Sequence, residues 1–197
     1  GMALTAELDP DSVLDLLLDH VARVTPYDSA TVMRLENGRL RAGRTRGYER
    51  FGVEKEAAAL DLAMEEILNL RQMAESHRPT VVPDTATDPN WAYTSASAHI
   101  GSWAGAPIVA RGRLIGILSL DKVERNFYTP QLAGRLAAFT AQAGLALENA
   151  ELYAEQKRLA VTDGLTGLPN RRRFDAELAR ELDRGARFQR PTSLVML

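Results

Sequence analysis

Apolar residues recur along the chain in two periods, and the switches between the periods mark out its elements. Asp9-Pro10 reads as an N-cap followed by proline at the first helical position. Leu14, Leu17, Leu18, Val21 and Val24 then recur at helical spacing, and Val13 and Leu16 widen the stripe. Thr25-Pro26 ends this helix. Ser29 to Leu35, rich in Val, Thr and Met, predicts a strand. Asn37-Gly38 is the strongest hairpin dipeptide, because both residues accept positive φ. In Arg39 to Arg46, Leu40 and Ala42 alternate with arginines, which predicts a hairpin with one wet face. Glu54 to Ser76 predicts one helix with an apolar stripe of Leu60, Ala63, Met64, Ile67, Leu70 and Ala74, ended by Pro79. Thr80-Val81-Val82 is a short strand.

Pro83 to Ser102 is long, irregular and rich in small polar residues, as functional loops are. Trp103 to Ala110 and Leu114 to Leu120 predict two strands around an Arg111-Gly112 turn, with Leu114, Gly116, Leu118 and Leu120 on one face. Thr129-Pro130 opens a helix that meets no breaker before Gly164. Running to about Thr162, it would be roughly 50 Å long. Its first part, through Ala150, suffices to cover one small sheet, and Leu152, Tyr153, Gln156 and Leu159 are expected to project outward. A further helical stripe, Phe174, Leu178, Leu182 and Ala186, precedes a strand-like end from Thr192 to Leu197. The order predicts an α+β fold, an antiparallel sheet with helices packed on one side and a long C-terminal linker helix.

Composition adds limits. The chain of 197 residues is 45% apolar and 25% charged, ordinary for a soluble globular protein of one domain plus a smaller piece. It has no cysteine, which excludes disulfides, thiolate metal sites and cysteine nucleophiles. No apolar run approaches the roughly 18–20 residues that span a bilayer. The start, GMALTAELDP, lacks a basic region followed by an apolar one, so a cytoplasmic protein is expected. Gly1 before Met2 reads as a remnant of tag removal. Net charge is -2, and Arg171-Arg172-Arg173 is the one dense basic run. No aromatic residues interleave it, so nucleic-acid binding is not expected.

Two segments carry a family likeness. Gly101 to Tyr153 resembles the C-terminal half of a GAF domain. The matching features are the small residues and Pro107 leading into a strand, the Arg111-Gly112 turn, Ile115-Gly116-Ile117-Leu118, Phe127-Tyr128-Thr129, and Ala146-Leu147-Glu148-Asn149-Ala150. The upstream elements fit the same fold from about Leu4. Asp163-Gly164-Leu165-Thr166-Gly167-Leu168-Pro169-Asn170-Arg171-Arg172-Arg173-Phe174 resembles the opening signature of GGDEF domains, the diguanylate cyclases that join two GTP into cyclic di-GMP with magnesium. That family's metal-binding aspartate and namesake turn have no positions in this chain, so no catalytic residue is assigned. The chain itself is expected to be inactive. The implied organisation is a GAF sensory domain over 1–153, a helical linker over 154–162 and the start of a GGDEF domain over 163–197.

A GAF fold resembles a shallow cup that holds a small molecule. The resemblance implies that Pro83 to Ser102 covers the cup, with Trp91, Tyr93, His99 and Trp103 nearest a ligand, since aromatics combine broad apolar contact with a polar handle. Of the three histidines, His20, His77 and His99, only His99 falls in the loop, and no metal site is expected. The missing cysteine excludes the usual chemistry of bilin-binding and methionine-sulfoxide-reducing relatives. The Asn-Lys…Phe-x-x-x-Asp-Glu pattern of cyclic-nucleotide-binding members reads here Asp121-Lys122…Phe127 to Gln131-Leu132, which departs at three positions. Asn170 is expected to cap the helix after the signature. Partners implied are an unidentified small molecule and a second copy of the chain, joined through the terminal helices. The alternative is a ligand-free structural dimerisation module attached to a degenerate or phosphodiesterase-fused GGDEF scaffold.

Overall fold

The computed structural model describes residues 9–161, 163, 166, 168–188, 190, 191 and 193. The chain divides into two units, Gly1–Ala150 and Glu151–Leu197.

The first unit opens with α1, Pro10–Val24, capped by the Asp9 carboxylate, which accepts from the Asp11 and Ser12 backbone N–H groups at 3.1 Å. Strands β1, Ser29–Glu36, and β2, Arg39–Arg46, form the expected hairpin. Asn37 and Gly38 both take positive φ, 51° and 77°, as a two-residue turn between right-twisted strands requires.

The single helix expected over 54–76 is instead four pieces. They are α2, Glu54–Ala58, strand β3, Asp61–Ala63, a 3-10 turn at Met64–Glu66, and α3, Leu68–Ser76. The outer edge of β2 makes the difference. β3 pairs with it, Leu40 opposite Leu62, and Asp61 takes Arg39 at 2.5 Å and Arg41 at 3.4 Å. Leu60, Leu62 and Met64 reach one apolar cluster at a spacing of two, the strand period inside what read as a helical stripe. α3 ends at His77 in the left-handed conformation, two residues before Pro79.

β4, Thr80–Val82, is followed by the irregular segment 83–101. Then come β5, Ser102–Ala110, and β6, Arg113–Lys122. All pairings are antiparallel, and the order is β3-β2-β1-β6-β5-β4. Both edge strands have three residues, which leaves little edge to template further pairing. A register shift after Ile108 places Leu114 with Trp103 and Ile117, and Ile115 on the opposite face. This corrects the expectation that Leu114 shares the face of Leu118 and Leu120.

The last helix of the unit, α4, runs Pro130–Val161 and continues into the second unit. α1 and α4 cover one face of the sheet. Leu14, Leu18 and Val21 from α1 and Leu136, Phe139 and Leu147 from α4 pack there on Ala30, Val32, Ala104, Ala106, Ile108, Leu118 and Leu120. The helices gathered on one side are these two long ones. The other face carries α3, through Leu70 and Met73, and the 83–101 segment.

In the second unit, Asp163 Oδ1 accepts from the Thr166 N–H and hydroxyl at 2.9 and 2.8 Å. Helix α5, Arg171–Phe188, is capped by Asn170, whose Oδ1 accepts from the Arg173 N–H at 3.1 Å. Phe174, Leu182 and Phe188 on α5 are exposed. The strand expected over 192–197 lies outside the described residues apart from Ser193, and so do Gly164, Gly167 and the Leu159 side chain. Among the described residues, no helix is long and apolar enough to cross a membrane.

Candidate functional site

The face of the sheet away from α1 and α4 forms the floor of a cleft, and strand register decides its chemistry. β1 and β5 flank β6. Ser29 and Trp103 both pair with Asp121, Thr31 and Gly105 with Ser119, and Met33 and Pro107 with Ile117. Side chains two apart on a strand share a face, so Ser29, Thr31, Ser119 and Asp121 gather into one polar patch beside Met33 and Ile117.

That patch is a continuous hydrogen-bond chain. Trp103 Nε1 donates to Ser119 Oγ at 2.7 Å, and Ser119 Oγ donates to Asp121 Oδ1 at 3.3 Å. Thr31 Oγ1 donates to the Tyr48 hydroxyl at 2.8 Å, which donates to Asp121 Oδ2 at 2.6 Å. Ser29 Oγ donates to the same oxygen at 2.7 Å. Having spent its proton there, Ser29 accepts from His99 Nε2 at 2.8 Å, which places the ring proton on Nε2. The His99 ring stacks on Phe51, with centroids 3.8 Å apart.

Asp121 is 1% exposed. Burial pushes its carboxyl up to about 6, against the pull of the bonds from Tyr48, Ser29 and Ser119. Burial likewise raises the Tyr48 hydroxyl, with the Asp121 charge adding to it. Burial lowers His99, favouring the neutral ring, although Asp28 pulls the other way. Asp28 itself sits below the ordinary carboxylate range. Burial would raise it, but Lys122 Nζ at 2.8 Å and the Val123 N–H at 2.8 Å outweigh that.

The walls are apolar. Leu62, Ile67, Leu70, Trp91, Ile100 and Trp103 stand around the floor and leave a cavity of about 70 Å³. Trp103 lies flat across Gly105. A Cβ built on Gly105 would come within 2.3 Å of the indole, so only glycine there lets Trp103 reach Ser119. Trp91 meets Trp103 at a centroid distance of 5.8 Å and a tilt of 58°. Among the described residues Trp91 Nε1 is buried with no hydrogen-bond partner, which is costly unless something fills the need.

The segment over the cleft is a run of tight turns. Asp84 accepts from the Ala86 N–H at 3.0 Å, Thr85 N–H donates to Gly101 O at 3.0 Å, and Ser97 N–H donates to Thr94 O at 3.1 Å. Such turns satisfy the backbone without strand partners.

Of the four residues singled out in the sequence, Trp91 and Trp103 line the cleft together. His99 is not among the lining residues and is joined to Asp121 through Ser29. Tyr93 is 67% exposed, and its hydroxyl donates to Thr85 O at 3.2 Å. Asp121, Ser119, Thr31, Tyr48 and Asn69 also line the cleft and were not singled out. The signal for three of them was in the strands: Thr31, Ser119 and Asp121 interrupt apolar runs at the strand period. Tyr48 and Asn69 arrive from a 3-10 turn and a helix, and no periodicity marks them. Among the described residues no group of three His, Cys, Asp or Glu side chains is placed to hold a metal ion.

Comparison with known proteins agrees with this architecture. Residues 7–148 match the GAF domain family, and residues 160–197 match the diguanylate cyclase GGDEF domain family. No curated protein matches the chain. Among solved structures, the GAF domain/HD domain protein from Geobacter sulfurreducens is similar with a TM-score of 0.65 at 14% identity, over 73% of this chain and 95% of that one. The GAF domain of a phosphoenolpyruvate-protein phosphotransferase from Coxiella burnetii is similar with a TM-score of 0.61 at 18% identity, over 77% and 90%. Free methionine-R-sulfoxide reductase from Neisseria meningitidis, in complex with its substrate, is similar with a TM-score of 0.61 at 15% identity, over 73% and 81%. At these identities the likeness is one of fold. The chain belongs to the GAF domain family, and its GAF domain is followed by the first part of a GGDEF domain.

Proposed function

We propose that this GAF domain is the sensory and regulatory module of a cyclic-di-GMP signalling protein, and that it controls the GGDEF output through α4. The single observation that carries the reading is the cleft. It combines apolar walls, a buried charged floor and an unpartnered indole N–H in one place. A purely structural sheet face would gain more from apolar side chains than from a buried carboxyl. α4 supports the second half. It packs on the sheet through Leu136, Phe139 and Leu147, and it is the same helix that leads to the GGDEF segment.

The partner is a second copy of the chain. Val24 of α1 and Leu145, Leu152 and Tyr153 of α4 are large apolar residues exposed by 41 to 63%. Two copies would cover them in a helical bundle and bring two GGDEF domains together. The cyclase reaction of that family needs GTP and magnesium, and its substrate fits a cytoplasmic setting.

Two measurements test the reading. A thermal-shift screen of small metabolites should yield a compound that stabilises the fold by about 2.7 kcal/mol at 100 times its dissociation constant. Light scattering at tens of micromolar should give twice the chain mass. A monomer with no stabilising compound would leave neither the sensor nor the dimer standing.

A further inference from the structure

The cleft is a one-signed site. Of the residues that line it, Asp121 alone is ionisable at neutral pH, and no lysine, arginine or histidine is among them. A buried carboxylate without a cation draws positive charge and repels carboxylates and phosphates, and the low local dielectric magnifies both effects. Oδ2 of Asp121 is filled by Tyr48 and Ser29, whereas among the described residues Oδ1 accepts only the long bond from Ser119 and keeps a lone pair. Beside it, Trp91 and Trp103 offer two tilted indole faces, the best aromatic surfaces for an organic cation. The unpartnered Trp91 N–H asks in addition for one acceptor atom. Lys122 is committed elsewhere, paired with Asp28 and lying over the Phe127 ring.

We propose that the cleft takes a small organic cation, an ammonium compound carrying one hydrogen-bond acceptor. The positive end lies between the two indoles and over Asp121, and the acceptor meets Trp91 Nε1–H. This rests on the sensory reading above and narrows it: nucleotides and organic acids are refused by charge.

The test needs no added label, because the chain has two tryptophans and both line the cleft. Intrinsic fluorescence is titrated with three probes of nearly the same shape: choline, its uncharged isostere 3,3-dimethylbutan-1-ol, and the anion 3,3-dimethylbutanoate. The expected result is half-saturation by choline at a concentration at least tenfold below the alcohol, with no response to the anion. In Asp121→Asn the preference for choline over the alcohol should narrow, while Trp91→Phe, which removes one indole face and its N–H, should weaken both probes and choline the more. Equal or tighter binding of the alcohol, or any saturable response to the anion, overturns the cation assignment and leaves the sensory reading intact. No response to any of the three also overturns it, and the thermal-shift screen of small metabolites then decides the sensory reading separately. Should Asp121→Asn not fold, the ranking of the three probes on the unaltered chain still decides.

Discussion

The two faces of the sheet are cut from the same strands and do opposite work. On β6, Leu118 and Leu120 point into the layer beneath α1 and α4, while Ile117, Ser119 and Asp121 point into the cleft. The first face is dry and filled by Leu, Val and Ala. The second joins a carboxyl, four hydroxyls and an indole N–H in one chain of bonds. A fold stabilised by the dry face has stability to spare for the other, and functional sites commonly use stability in that way. Stability and recognition are therefore separable here by face, one residue apart in phase.

The comparison is broken most severely on the dry face. Leu136→Ala, at a residue with no exposed surface, should destabilise by about 2–5 kcal/mol. Denaturant unfolding reads this, and tryptophan emission of the folded protein should not move. An equal effect on emission would show that the faces are coupled.

The next largest effect is pH dependence from the cleft. The folded Asp121 carboxyl titrates at about 6 against an ordinary 3.8, so the folded state holds its proton more tightly. That contribution is full below about pH 4 and is lost as pH rises to about 6, on the order of 3 kcal/mol. His99, which burial lowers, has the opposite sign, gaining stability as pH rises through the imidazole range. Asp28 also has the opposite sign, in a window below its ordinary carboxylate value. Tyr48, raised, titrates far above this range. The difference between the natural chain and Asp121→Asn, followed by thermal unfolding from pH 4 to 7, isolates Asp121. A flat difference would sink the assignment.

Gly105→Ala tests the seam between the two tryptophans. The new methyl meets the Trp103 ring and Met73 Cε, so a cost of about 1–3 kcal/mol is expected, together with a shifted emission as the indole leaves Ser119. The smallest effect belongs to the charged rim. Arg46 pairs with Asp15 at 2.7 Å, but both side chains are more than a third exposed. Arg46→Ala should cost less than about 1 kcal/mol and leave the cleft unchanged.

Much of this was legible along the chain. Asp9 and Asn170 announce helix starts because a short polar side chain can accept the first free N–H groups. Asn37-Gly38 announces a turn because of its φ values. The 54–76 stretch was not legible in the same way. Leu60, Met64, Ile67 and Leu70 satisfy a helical period, and only the free edge of β2, with Arg39 and Arg41 waiting for Asp61, selects strand for 61–63. The cleft was half legible: Trp91 and Trp103 stood out by type, whereas Asn69 and Tyr48 carry no local mark.

Local physical chemistry thus determined most elements of this protein, because caps, turns and periodicity act over a few residues. Tertiary structure alone decided the site. Ser29 and Asp121 are 92 positions apart, and Tyr48 and Asp121 are 73 apart. Only the antiparallel register of β1 with β6, and the 3-10 turn that follows β2, brings them to one buried carboxyl. Burial is a property of the packed whole, and it is burial that gives Asp121 its charge-seeking character.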